Sequence, residues 1–251
     1  MKVKVFVIAF VVVVLAALGA MFALSHTRSN SRVEVVSEIR AATGFHRIDV
    51  QGRIDVTLVQ GAKEGVTVEA PAAMLRRIRT EVRDGTLVID AAQEHRGWTW
   101  LTGSASNKPV RLTINLRELD SVEAAGAVSI TAGSLKANEL NLDVAGASKL
   151  RIGDLQATQL RLDGAGATKA DIRGKVARQD IDLSGAGSYD AGQLVSDDAR
   201  VDVSGAGKAL VNVRNTLRVD IAGAGKVEYI GDPEVRQSIS GVGKVTKREG
   251  S

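Results

Sequence analysis

Between residues 122 and 247 the chain repeats one short phrase seven times, a strand running into Gly-Ala-Gly or a close variant. That repetition constrains the fold more than any other property of the sequence. The copies are Val122-Glu-Ala-Ala-Gly126, Leu142-Asp-Val-Ala-Gly146, Leu162-Asp-Gly-Ala-Gly166, Leu183-Ser-Gly-Ala-Gly187, Val203-Ser-Gly-Ala-Gly207, Ile221-Ala-Gly-Ala-Gly225 and Ile239-Ser-Gly-Val-Gly243. Aligned on their second glycine, they recur every 18 to 21 residues. A repeat of that length is one coil of a β-solenoid and is too short for most helical or propeller repeats. Inside each coil the period is two, as in Leu140-Asn-Leu142, Leu160-Arg-Leu162 and Ile181-Asp-Leu183, which marks strands with one buried face.

Stacking on that alignment predicts an interior column of Leu142, Leu162, Leu183, Val203, Ile221 and Ile239. Asn141, Arg161, Asp182, Asp202 and Asp220 form an exterior one, at about 4.8 Å per rung and roughly 34 Å for seven coils. The glycines then read as corners, where positive φ or close backbone approach is needed. Aromatic residues are 3% of the chain, so the core is thin and aliphatic, as a narrow solenoid requires. The expected fold class is all-β, a parallel β-helix-like solenoid with 18–21-residue coils, preceded by an N-terminal hydrophobic helix.

Upstream of the repeat, 45–50, 54–58, 66–68, 86–89 and 110–114 alternate well, and Gly52, Gly61, Gly65 and Gly85 punctuate them. These strands are expected to cap the solenoid and extend its sheets. Only 72–79 looks helical, and briefly. Residues 26–43 read as a linker in which a first strand begins at Val33-Glu-Val-Val36, and the solenoid domain as 44–248.

Residues 1–25 look like an export segment. Lys2 and Lys4 precede an uncharged apolar run from Val5 to Leu24, followed by polar Ser25-His-Thr-Arg-Ser-Asn30. Twenty apolar residues as a helix reach about 30 Å, enough for a bilayer core, while Ala23-Leu-Ser25 offers the small residues a signal peptidase reads. Cleaved signal and retained membrane anchor both place the rest outside the cytoplasm, in the periplasm or at the cell surface.

None of the Gly-Ala-Gly copies completes Gly-x-Gly-x-x-Gly, and Gly225-Lys226 and Gly243-Lys244 lack the rest of a phosphate loop. The nine-residue calcium motif of some solenoids is missing its aspartates, although Asp143 aligns with Asp163, and Asp182 with Asp202 and Asp220. Stacked acids could also serve a polysaccharide hydrolase, but evenly repeated acids are what a solvated ladder gives. His26, His46 and His95 are isolated and read as surface or strand-edge groups. The chain has no cysteine, which excludes thiol chemistry and disulfides, and its net charge of +4 is dispersed, which gives nucleic-acid binding little support. No cofactor or metal is implied.

The pattern breaks at 93–108, where His95, Arg96, Trp98 and Trp100 cluster between two strands. Those four form a candidate partner or glycan contact; alternatively the tryptophans fold down over the end of the solenoid.

Several segments together resemble the auto-transporter adhesins with a head GIN domain: Gly44-Phe-His-Arg-Ile-Asp-Val50, Ile54-Asp-Val-Thr-Leu-Val-Gln-Gly61, Val82-Arg-Asp-Gly-Thr-Leu-Val-Ile89, the glycine ladder and Val227-Glu-Tyr-Ile-Gly-Asp-Pro233. The resemblance implies an exported bacterial β-solenoid of mostly unassigned function and supplies no catalytic residues. The expectation is a non-enzymatic envelope module, adhesive or structural, meeting an envelope polymer, glycan or protein. A carbohydrate-active enzyme and a tethered sensor ectodomain are the alternatives.

Overall fold

The computed structural model describes residues 35–91 and 110–249. The apolar segment 5–24 with its expected helix, and the segment 93–108 with its candidate contact residues, lie outside the described residues. Among those described, no helix is long and apolar enough to cross a membrane.

The N-terminal elements are β1 (Val35–Arg40), β2 (Arg47–Gln60), β3 (Gly65–Pro71), a single helical turn α1 (Ala72–Leu75), β4 (Arg79–Arg83), β5 (Thr86–Ala91) and β6 (Val110–Leu116). The repeat follows as β7 (Ser121–Gly146), β8 (Lys149–Gly166), β9 (Lys169–Gly185), β10 (Ser188–Gly205) and β11 (Lys208–Gly223). It closes with β12 (Lys226–Ile230), β13 (Glu234–Gly241) and β14 (Lys244–Lys247). From β2 through β7, β8, β9, β10 and β11 every neighbour is parallel, each coil lying on the one before. The fold is thus the all-β solenoid that the periodicity requires.

The first strands do extend the same sheet, since β2 pairs in parallel with β5 and β6 as well as with β7. They also turn antiparallel: β3 lies against β6, β1 against β3 and β4 against β5. The β4–β5 hairpin follows from Asp84-Gly85, both at positive φ (48° and 74°), the backbone a two-residue turn needs to match strand twist. The segment expected as a linker, 26–43, contains β1, and the helical stretch expected over 72–79 shrinks to one turn before β4 begins.

The repeat register differs from the alignment on the second glycine. Gly126, Gly146 and Gly166 stand at the second glycine position of their copies, yet Gly166 pairs with Gly185, the first of its copy. Gly205, Gly223 and Gly241 then continue the column. The stacked residues are those with positive φ, from Gly126 (111°) through Gly185 (109°) to Gly241 (125°). An added Cβ there would lie 2.4–2.7 Å from the carbonyl oxygen of the glycine one coil below, so the column admits no side chain. As a result the predicted interior column divides into two. Leu142 and Leu162 stack with Ile181, whereas Leu183 lies over Gly164.

The displaced glycines have a different task. Gly187, Gly207 and Gly225 are buried at negative φ, and a Cβ on them would meet Leu183, Val203 and Ile221 side chains at 2.8–3.2 Å. One coil earlier the pairing is reversed, with Gly164 leaving space for Thr168. Side-chain bulk therefore trades places across the corner, as close packing demands. The exchange strands two hydroxyls: Ser148 Oγ and Thr168 Oγ1 are buried without a hydrogen-bond partner among the described residues.

Elsewhere buried polarity is satisfied. Tyr189 Oη donates to Gln179 Oε1 (2.9 Å), Gln179 Nε2 to Ser196 Oγ (2.8 Å), and Ser196 Oγ to the Asn212 carbonyl (3.1 Å). Burial pushes the Tyr189 phenol well above its ordinary range, which keeps it a neutral donor. At the C-terminal end the interior opens: Ile239, expected inside, is 39% exposed and Val242 is 84% exposed, because no described strand lies on the outer side of β13 or β14.

Two substitutions check this account. Gly146→Ala forces a side chain into positive φ and onto the Gly126 carbonyl, and should cost about 2–3 kcal/mol, a fall in melting temperature of about 5–10 °C. Gly133→Ala, where nothing lies within 4 Å, should leave it unchanged. Thr168→Val removes an unsatisfied hydroxyl at constant shape and should stabilise by about 1 kcal/mol, read by denaturant melts.

Candidate functional site

Each stacked glycine is the apex of an exposed corner of small residues, such as Ala145-Gly146-Ala147 and Ser204-Gly205-Ala206. Charge is ordered symmetrically about it. Three residues before each of these glycines except Gly241, which has Ser238, an acid points outward: Asp49 pairs with Glu123, and Asp143, Asp163, Asp182, Asp202 and Asp220 pair in succession. Hydrogen bonds from Asn141 N to Asp120 O and from Ala147 N to Gly126 O step the coil by twenty residues and set Asp143 over Glu123. The two groups of aspartates that the sequence suggested are thus one column, and Asn141 and Arg161 belong to the column beside it.

That neighbouring column holds Arg161, Asp180, Arg200, Arg218 and Arg236. Its arginines neutralise the ladder within their own strands: Arg161 Nε–Asp163 at 2.9 Å, Arg200 Nε–Asp202 at 2.8 Å and Arg218 Nε–Asp220 at 3.3 Å, with Arg200 also reaching Asp220 at 3.8 Å. Acids one rung apart repel by just under about 1 kcal/mol in water. Asp182, whose neighbour two residues back is Asp180 rather than arginine, feels the repulsion. Desolvation first, then Asp163 and Asp202, raise its carboxyl above the ordinary range. Asp163 and Asp202 hold the Arg161 and Arg200 guanidiniums more basic than usual. Such exposed, mutually occupied groups form a solvated wall, and among the described residues no three His, Asp or Glu side chains form a cation-sized cluster.

Three residues after each stacked glycine the sign reverses. The column runs Ser129, Lys149, Lys169, Ser188, Lys208, Lys226, Lys244. Lys226 contacts Glu228 at 3.1 Å, and the other lysines of the column form no ion pair among the described residues. Asp171 pairs with Arg173 at 3.3 Å, and Asp190 accepts from the Gly192 N–H at 3.2 Å. The sequence reading missed this column because the second-glycine alignment put Lys149 and Lys169 three places after the glycine but Lys208, Lys226 and Lys244 one place after it. Aligning on the positive-φ glycine brings all five together.

A third wall carries an open groove lined by Asp154, Gln156, Thr158, Lys175 and Asp197. It lies where the register between coils shifts, between Ile152/Leu155 and Asp190/Leu194. Of the residues singled out in the sequence, His46 stands at the Gly85 turn, where its N–H donates to the Gly85 carbonyl (3.0 Å). His26, His95, Arg96, Trp98 and Trp100 lie outside the described residues.

The family model described as "Putative auto-transporter adhesin, head GIN domain" matches residues 44–233. The chain belongs to this family. Among solved structures it is similar to a putative adhesin from Bacteroides fragilis (19% identity, TM-score 0.75, covering 86% of this chain and 97% of that one). It also resembles a putative lipid binding protein from Parabacteroides distasonis (20% identity, TM-score 0.69, 86% and 98%). A third is a putative adhesin from Parabacteroides merdae (16% identity, TM-score 0.63, 86% and 97%). At these identities the likeness establishes the head GIN fold. No curated protein matches the chain.

The acid ladder gives a pH-dependent prediction. Because Asp182 binds its proton more tightly folded than unfolded, its unfavourable contribution is absent well below the carboxylate range and grows as pH rises through it. Asp182→Asn should therefore raise the melting temperature at pH 7 and leave it equal to wild type at pH 3.

Proposed function

We propose that this head GIN domain is a non-enzymatic, exported envelope module that holds an extended polymer or protein along its wall, as an adhesin or structural element. The observation that carries the reading is the acid column, which stays in step from β7 to β11, Asp143 through Asp220, even though the register shifts elsewhere in the coil. Such a surface presents the same groups every ~4.8 Å and suits a partner that is itself long and repetitive. The acids that a hydrolase would use, Asp182, Asp202 and Asp220, are each part of the ladder: Asp202 and Asp220 are held by Arg200 and Arg218, and evenly spaced, mostly ion-paired carboxylates serve surface chemistry better than proton transfer. The family description supports an exported location. The N-terminal segment 1–25 fits delivery to the periplasm or cell surface, either by cleavage or as an anchor through 5–24. The segment 93–108, with His95, Arg96, Trp98 and Trp100, is a second proposed contact.

The test is binding and turnover together. The purified full chain, in neutral detergent, is presented with neutral and charged envelope polysaccharides and with peptidoglycan, while reducing ends are measured. Retention of at least one polymer without new reducing ends is expected. Depolymerisation that disappears in Asp202→Ala would establish the carbohydrate-active alternative instead.

A further inference from the structure

We infer that the lysine column is a binding rail for a linear polyanion, an envelope polymer bearing one carboxylate or phosphodiester per repeat unit. This rests on the binding-module reading and names the partner's chemistry. The charged columns of the acidic wall neutralise themselves along each strand, arginine to acid two residues on. The lysine column is paired at Lys226 alone, with Glu228 at 3.1 Å; among the described residues Lys149, Lys169, Lys208 and Lys244 form no ion pair. Lys208, Lys226 and Lys244 occupy consecutive rungs, and Lys149 and Lys169 another adjacent pair. Two runs of like charge a rung apart, on a rigid sheet, repel each other unless anions lie along them.

Geometry selects a chain over a single anion. No described pocket encloses the lysines, so one phosphate would meet flexible side chains on an open wall. A polymer laid parallel to the solenoid axis meets successive ammonium groups in step, and releases counterions at each contact. The corner beside the rail is made for close approach: Ala147, Ala167, Ala186, Ala206 and Ala224 are exposed methyls, so nothing taller stands between the lysines and the ridge. Across that ridge the acids are already paired with their own arginines, so the lysine side is the one that offers a polyanion unpaired cations.

Ser188 and Ser129 sit in the same column, so serine is compatible with the fold there, and the triple variant Lys208→Ser/Lys226→Ser/Lys244→Ser isolates the charge. Full chains of wild type and variant, with matched melting temperatures, are titrated against polygalacturonate, poly(glycerol phosphate), neutral dextran and vesicles containing phosphatidylglycerol. The rail predicts wild-type binding to one or both polyanions with affinity falling steeply as salt rises. In the variant, affinity should drop at least tenfold and the salt slope should flatten by about two to three counterions. Whether the carboxylate or the phosphodiester polymer binds decides which anion the rail takes. Equal binding by wild type and variant, binding to vesicles alone, or no polyanion binding overturns the rail. Binding of dextran alone, unchanged by the variant, would overturn it while leaving the binding-module reading intact; failure of every polymer would remove both.

Discussion

The contact on which the rest of this molecule depends is one glycine backbone laid on another at each solenoid corner. Ala147 N–H donates to the Gly126 carbonyl, Ala167 to Gly146, Ala186 to Gly166 and Ala206 to Gly185, all at 2.8–2.9 Å. A Cβ in that column would sit 2.4–2.7 Å from a carbonyl oxygen, so only glycine lets the coils close to sheet spacing there. Because side chains alternate with period two, fixing one position per coil fixes the facing of all the others. Core, acid wall and lysine rail are consequences of which glycine occupies the corner.

The architecture was legible from the repeat for this reason: an 18–21-residue period with alternating apolar residues has few other solutions. The register was less legible, because Gly-Ala-Gly contains two glycines with different tasks. In Leu162-Asp-Gly-Ala-Gly166 the second turns the corner and the first makes space for Thr168. In Leu183-Ser-Gly-Ala-Gly187 the first turns the corner and the second makes space for Leu183. The motif's own spelling cannot separate them, but the flanking lysine does in hindsight: it stands three places after the second glycine at Gly146 and Gly166 and one place after it at Gly207, Gly225 and Gly243.

The same ambiguity hid the candidate surface. Read on the wrong glycine, the acids fell into two unrelated groups and the lysines into two others. Read on the corner, acids stand three residues before and lysines three residues after, along most of the solenoid. What the sequence did show as a break, the segment holding Trp98 and Trp100, is the other place where a partner could be gripped. The two are compatible, one offering repetition and the other a local anchor, with stacking the natural chemistry of the second.

The central claim, that the positive-φ glycine sets the register, can be tested with disulfides, since the chain has no cysteine of its own. Corner stacking pairs Lys169 with Ser188, whereas alignment on the second glycine would pair Lys169 with Asp190. Two double variants, Lys169→Cys/Ser188→Cys and Lys169→Cys/Asp190→Cys, are oxidised under mild conditions and the bridged fraction is read by thiol alkylation and mass spectrometry. Facing Cα atoms on neighbouring rungs lie within disulfide reach and those displaced by two residues do not. Ready bridging of the first pair and little of the second is predicted. Preferential bridging of the second would contradict the register, and with it both ladders.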